Sequence, residues 1–127
     1  MKLRAILATL GLLTLWWLTW PWPFAAARGQ LAARLDLGMG KYTMVVYGLP
    51  APWGQDYYGL LSQRYGIQIQ RVAYCIVSPS LVTYTDEFDK ISSAAAIWKY
   101  GRNIFQECAD EARKNWERKA AEKKLTH

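Results

Sequence analysis

Two cysteines, Cys75 and Cys108, carry the clearest chemical potential in this sequence. The first 27 residues have the pattern of an export signal, which would place both cysteines in an oxidising compartment. An even number of cysteines in such a compartment is typical of a disulfide. Cys75 falls in the apolar half of a predicted strand, and Cys108 lies on the apolar stripe of the last predicted helix. Closing a loop of about 34 residues would contribute about 3.5–4 kcal/mol in the chain-entropy model. We therefore predict a Cys75–Cys108 disulfide, with two buried free thiols as the alternative.

The remaining reactive side chains do not form a recognisable catalytic or metal site. His127 is the single histidine, so a Ser–His or Cys–His pair and a four-ligand zinc site are both disfavoured. The carboxylates Asp86, Glu87 and Asp89 could form an acid/base pair of the glycosidase kind, but a solvated acidic helix face explains them more simply. No glycine-rich phosphate loop is present. We expect no cofactor, no metal and no catalysis.

Aromatic side chains gather around one predicted loop and the short helix after it, in the run LPAPWGQDYY over residues 49–58. Tyrosine and tryptophan are favoured at recognition surfaces because each offers a large apolar area with a polar tip. The alternative is that these rings fill the core of a small domain. The predicted contact surface for a partner comprises Pro50, Pro52, Trp53, Tyr57 and Tyr58.

The first 27 residues resemble a secretory signal in their pattern. Lys2 and Arg4 give a positive start, residues 5–20 form an uncharged apolar run, and Ala25 and Ala27 fit the A-x-A cleavage pattern. Residues 1–27 are therefore predicted to be a signal peptide that is removed after Ala27.

A retained transmembrane anchor is the alternative interpretation of residues 1–27. The apolar run would be about 24 Å long as a helix, a little short of a bilayer core of about 30 Å. Four tryptophans cluster at its far end, as in the aromatic belt of a membrane–water interface. Both interpretations place the domain outside the cytoplasm, either in the periplasm or on the outer side of the inner membrane. The predicted interface residues are Trp16, Trp17, Trp20 and Trp22.

Hydrophobic periodicity predicts a small α+β (or small α/β) domain of order β-α-β-α-α, in which two long helices cover a small sheet. Residues 28–40 are predicted to connect the leader to this domain, which spans 41–120 and precedes a charged tail over 121–127. A two-stranded sheet is marginal alone, so a third strand from 28–40 or dimerisation through an open edge are further alternatives. The predicted strands cover residues 42–47 and 67–77, and the predicted helices cover 55–65, 79–100 and 103–124.

Charge and composition favour a binding protein of the cell envelope. The formal net charge is +6, of which Lys2 and Arg4 supply two, and the other basic residues are spread without a nucleic-acid-binding stripe. We expect an inhibitor, immunity factor or assembly factor that acts through protein–protein contacts with another envelope or membrane protein. The alternatives are an accessory single-span subunit of an inner-membrane complex, which would also contact the lipid bilayer, and a small Asp/Glu-dependent envelope hydrolase.

Overall fold

The computed structural model describes residues 2–19 and 24–126 of the chain. These residues form five helices and two strands, which agrees with the mixed α+β class predicted from periodicity. The elements in chain order are α1 (Lys2–Thr19), α2 (Ala25–Gly38), β1 (Thr43–Tyr47), α3 (Gly54–Tyr65), β2 (Gln68–Ala73), α4 (Pro79–Tyr100) and α5 (Ile104–Leu125).

The sheet of the described residues consists of β1 and β2 paired in parallel, with α3 as the connection between them. The register runs from Thr43 opposite Gln68 to Tyr47 opposite Ala73, and it skips Val72, so β2 bulges directly after Arg71. Residues 28–40 supply no third strand. The carboxyl ends of both strands therefore lie at the same edge of the sheet.

Capping signals in the sequence set the bounds of the two long helices, α4 and α5. Ser78 accepts a hydrogen bond from the amide of Leu81, and Asn103 accepts one from the amide of Gln106, which satisfies free N–H groups at the starts of α4 and α5. Helix α4 ends at Gly101, whose φ of 68° is costly for a residue with a side chain. These ends agree closely with those predicted from the sequence.

The core divides into two clusters, one on each face of β1. On one face Val45 packs with Ala33 of α2 and Phe88 of α4. On the other face Met44 packs against a cluster that includes Leu61 of α3 and Cys108 of α5. Helix α4 covers β1, whereas α5 packs chiefly against α3. Of the two long helices that were predicted to cover the sheet, α4 therefore packs directly on β1, whereas α5 has its main contacts with α3.

Residues 28–40, which were predicted as a connecting segment, lie mostly in helix α2. Helix α2 packs along α4 through Ala25, Gly29 and Ala33, which are all buried. Small side chains at every fourth position form one narrow stripe on a helix, and this stripe lets the two helix backbones approach closely. The larger apolar side chains of this segment, Leu31, Leu35 and Met39, are exposed instead.

The predicted transmembrane anchor is wrong for the residues that the structure describes. Across residues 2–19 and 24–126, no helix combines the length and the apolarity that a membrane crossing requires. Helix α1 has 18 residues and begins with a charged end, so its apolar portion is short for a bilayer core of about 30 Å. Of the predicted interface tryptophans, Trp16 is exposed on α1, Trp17 belongs to α1, and Trp20 and Trp22 lie outside the described residues.

The predicted disulfide is also wrong, because both cysteines are free. Strand β2 ends at Ala73, so Cys75 lies in the exposed turn after it instead of within a buried strand. Cys108 is fully buried beside Ile67, which immediately precedes β2. Cys75 follows Ile67 by eight positions along a largely extended chain, a path of about 25 Å. The two thiols therefore belong to opposite ends of the strand.

Candidate functional site at the carboxyl ends of the strands

An exposed apolar surface of the domain lies where the two strands end. One loop follows β1 and another follows β2, and both leave the same edge of the parallel sheet. We call the four large side chains that these segments expose the strand-end surface. Leu49 and Ile76 are the most exposed of them, at 77% and 91%. The strand-end surface comprises Tyr47, Leu49, Tyr74 and Ile76.

Arg71 links the two loops that carry this surface. Its guanidinium Nη1 donates a hydrogen bond of 2.5 Å to the carbonyl oxygen of Gly48, in the loop after β1. The same guanidinium lies 5.2 Å from the ring centre of Tyr74, in the loop after β2, and 6.0 Å from that of Tyr58 on α3. Both ring contacts are within cation–π range. One side chain therefore holds both loops and α3 together.

The backbone adds a second link between the two loops. The amide of Gly48 donates a hydrogen bond of 3.1 Å to the carbonyl oxygen of Ala73, the last residue of β2. Gly48 has a φ of 78°, a conformation in which a side chain would be strained. The chain consequently turns sharply after β1, and Leu49 is directed away from the core into solvent.

The five residues predicted to contact a partner divide into two groups. Pro50 and Pro52 are exposed in the loop that follows Leu49. The three aromatic residues are partly buried: Trp53 lies under Arg113 of α5, Tyr57 packs against the core cluster, and Tyr58 lies beneath Arg71. The prolines thus follow the strand-end surface in the chain, and Tyr58 contacts Arg71 beneath it, whereas Trp53 and Tyr57 pack elsewhere in the domain.

Tyr57 shows most clearly how the aromatic cluster is used inside the domain. Its hydroxyl donates to Sδ of Met44 at 4.0 Å, and its ring lies 5.9 Å from that of Trp53 in an edge-on arrangement. Burial raises the pKa of Tyr57 to about 12, with smaller contributions from Cys108 and Tyr58. The phenol therefore remains neutral and acts as a packing group.

Tyr74 and Ile76 were missed as surface residues because the apolar run from Val72 to Val77 indicates a buried strand. That interpretation required an eleven-residue strand, about twice the usual length in a globular domain. A strand of ordinary length starting near Ile67 ends before Tyr74, which leaves the last apolar residues outside the sheet. Strand length was the signal that could have revealed this exposed segment.

The three carboxylates considered for acid/base chemistry have separate structural surroundings. Asp86 is exposed, Glu87 accepts a hydrogen bond of 2.6 Å from Gln30 of α2, and Asp89 accepts one of 2.8 Å from the amide of Val45. Two of them therefore connect α4 to its neighbours. Within residues 2–19 and 24–126, no group of His, Cys, Asp and Glu side chains is arranged to hold a metal ion.

Comparison with protein-family models, curated proteins and solved structures finds no match to this chain. Its function is therefore inferred from the geometry described above.

Proposed function

We propose that this protein is an exported binding module that contacts another protein of the cell envelope through its strand-end surface, without a catalytic step. The observation that carries the proposal is the exposure of Leu49 and Ile76 on two loops that Arg71 holds together. Apolar side chains clustered on a surface are typical of sites that a partner covers.

The energetics of association support this role for the surface. Burying a leucine or isoleucine side chain is worth about 1.5–3 kcal/mol, so Leu49 and Ile76 alone offer a useful part of a binding free energy. The contacts of Arg71 restrict both loops before a partner arrives. Less conformational entropy is then lost on binding. The tyrosine hydroxyls at the margin can form hydrogen bonds with polar groups of the partner.

The leader supports the cellular location in this proposal. The positive start, the apolar run and the Ala25–Ala27 pattern favour export, which would place the domain in the periplasm. A periplasmic module of this size would act as an inhibitor, an immunity factor or an assembly factor. The partner would offer a complementary apolar surface, since aliphatic side chains dominate the exposed area of the two loops.

The test is capture of a partner from an envelope extract by immobilised protein, compared among matched variants. Leu49→Asp and Ile76→Asp each place a charge in the centre of the strand-end surface. Trp98→Asp is the control, because Trp98 is an equally exposed apolar side chain, at 87%, on α4. We expect both loop variants to lose the captured protein and the control to retain it.

Equal capture by wild type and both loop variants, with circular dichroism showing an intact fold, would overturn the proposal. Sedimentation velocity of the same variants identifies a second copy of this chain as the occupant if wild type dimerises and the loop variants do not. Export is tested separately by the mass of the protein recovered from the envelope. Retention of residues 1–27 in a protein that stays in the cytoplasm would contradict the location.

A further inference from the structure

A second candidate site lies near the amino end of β1, away from the strand-end surface. There, β1, the second half of α4 and the start of α5 enclose a cavity of about 300 Å³, at the lower end of the size range of small-molecule sites. Its walls are mainly apolar, with a few polar groups among them. The residues used in the argument below are Met44, Asp89, Ser93, Ile97 and Phe105.

Asp89 is the charged group of this cavity. One of its carboxylate oxygens, Oδ1, accepts the hydrogen bond from the Val45 amide at 2.8 Å. In the part of the chain that the structure describes, the ion pairs join Arg64 to Glu111, Arg102 to Glu107 and Lys119 to Asp56, and Asp89 takes part in none of them. The cavity wall therefore contains a partly buried carboxylate without a basic partner.

The chemistry of the walls selects the ligand class. An anion would be repelled by Asp89, and a neutral apolar molecule would leave the carboxylate without a counter-ion in a poorly solvated position. A cation with an apolar body can pair its charge with the Asp89 carboxylate and pack its apolar part against the apolar side chains of the wall. Ser93 adds a hydroxyl oxygen that can accept a further hydrogen bond, while Met44, Ile97 and Phe105 offer apolar contact.

We propose that this cavity binds an alkylammonium group, with the ammonium on Asp89 and the carbon chain against Met44, Ile97 and Phe105. Two sources can supply this group, namely a free primary amine and a lysine side chain of another protein. The inference goes beyond the proposed function, since it assigns a second site. It is also independent of that function, because the cavity borders Thr43 and Met44 at the amino end of β1, whereas the strand-end surface begins at Tyr47.

The test is titration of the ¹⁵N-labelled full-length protein at pH 8, followed by amide chemical shifts. The probes are n-hexylamine, n-hexanol and hexanoate, which share one carbon chain and differ in charge. We expect hexylamine to shift the amides around Met44, Asp89 and Phe105 with a dissociation constant on the order of 1 mM. Hexanol should bind at least tenfold more weakly, and hexanoate should bind more weakly still.

Two variants test whether amine binding depends on the carboxylate of Asp89 and not only on the other residues of the cavity wall. Asp89→Asn should bind hexylamine at least tenfold more weakly, whereas Glu87→Gln, which removes a neighbouring carboxylate directed at α2, should bind it as wild type does. Equal affinity for amine and alcohol, unchanged amine binding by Asp89→Asn, or shifts confined to other parts of the protein would each overturn the proposal.

A further arm distinguishes the two sources of the ammonium group. The probe is Nα-acetyl-lysine N-methylamide, which presents a lysine side chain flanked by peptide groups. Shifts at the same amides with this probe support a lysine of a partner protein as the ligand. Binding of hexylamine without binding of the lysine compound supports a free amine, because the cavity then excludes the bulk of a peptide backbone.

Discussion

Gly29 occupies the closest approach between α2 and α4. A Cβ atom at this position would lie far inside van der Waals contact of the carbonyl oxygen of Tyr84, and 3.3 Å from the backbone nitrogen of Phe88. Both neighbours are backbone atoms of a long helix and cannot rotate away as a side chain could. The contact between the two helices therefore depends on the absence of a side chain at residue 29.

Gly29→Ala should lower the free energy of unfolding by about 1–3 kcal/mol, because overpacking forces the helices apart. Urea denaturation measures the change. Gly59→Ala is the matched control, since Gly59 is also helical but a Cβ there meets nothing within 4 Å. The control should gain up to about 1 kcal/mol from better helix propensity. A loss for both variants, or for neither, would contradict the packing described for α2.

Asp89 should make the stability of the domain depend on pH. Burial raises its pKa to about 6, although the Val45 amide opposes this effect, and Asp86 on the same helix contributes to the rise. The folded state then holds the proton more tightly than the unfolded state, so this carboxyl destabilises the fold increasingly as the pH rises from about 4 to 6. Tyr57, the ionisable group facing Asp89 from α3, stays neutral over this range.

Asp89→Asn should therefore be more stable than wild type above pH 7 and equal to it near pH 4. An amide oxygen can still accept the Val45 hydrogen bond but carries no charge. The expected gain at pH 8 is about 1 kcal/mol after allowance for solvent screening of this partly exposed group. Chemical denaturation at pH 4, 6 and 8 provides the measurement. A constant difference at all three values would show that ionisation is not the cause.

The thiols of Cys75 and Cys108 should differ strongly in reactivity. Cys75 is exposed, whereas Cys108 is fully buried and burial raises the pKa of its thiol. A thiol reagent should therefore modify one group quickly in the native protein and the second only after unfolding. Denatured, unreduced protein should show two reactive thiols, and the finding of none would restore the disulfide interpretation.

At the scale of elements, the helices depend on local signals that act within a few residues. Ser78→Ala should cost about 1 kcal/mol of stability because the amide of Leu81 loses its acceptor at the start of α4. Ser78→Asp, which keeps an acceptor oxygen, should retain wild-type stability. Thermal unfolding of both variants checks the prediction, and equal losses for both would indicate that the side chain of Ser78 acts in some other way.

Because these capping signals act over only a few residues, the elements that depend on them are the ones that the sequence predicts well. Ser78, Gly101 and Asn103 act through contacts with residues three or four positions away, so the bounds of α4 and α5 follow from the sequence. The burial of Ala33 depends instead on α4, more than fifty residues later, and no local pattern indicates it. Trp98 shows the same limit: it continues an apolar stripe in sequence but lies where no other element covers α4.

Across the whole molecule, the candidate sites also divide into parts that local sequence indicates and parts that depend on contacts between distant elements. The loop containing Pro50 and Pro52 was found because proline and aromatic residues stand out in the sequence. The exposure of Tyr74, and the absence of Asp89 from the ion pairs of the described residues, depend on where β2 ends and how α4 crosses β1. These properties arise only when the elements assemble, so composition and spacing alone do not indicate them.

The effect of removing the leader on the stability of the domain should depend on where the truncated chain begins. Helix α1 makes no extensive contact with another described element, so a chain beginning at Phe24 should be as stable as the full chain. A chain beginning at Arg28 lacks the first turn of α2 and the buried Ala25, and it should lose about 1–2 kcal/mol. Urea denaturation of the two truncated chains compares them directly. Equal stability would show that Ala25 contributes little to the packing of α2.

If residues 1–27 are removed by a signal peptidase, the start of α2 at Ala25 implies that cleavage comes before folding. The predicted cleavage pattern at Ala25–Ala27 lies in a helix, and Ala25 is only 2% exposed against α4. Proteases act on accessible, unfolded segments. In a chain that has already folded, the peptide bond after Ala27 should therefore be protected from cleavage. Processing and folding would therefore compete for the same three alanines, and substitutions that delay the docking of α2 should increase the processed fraction.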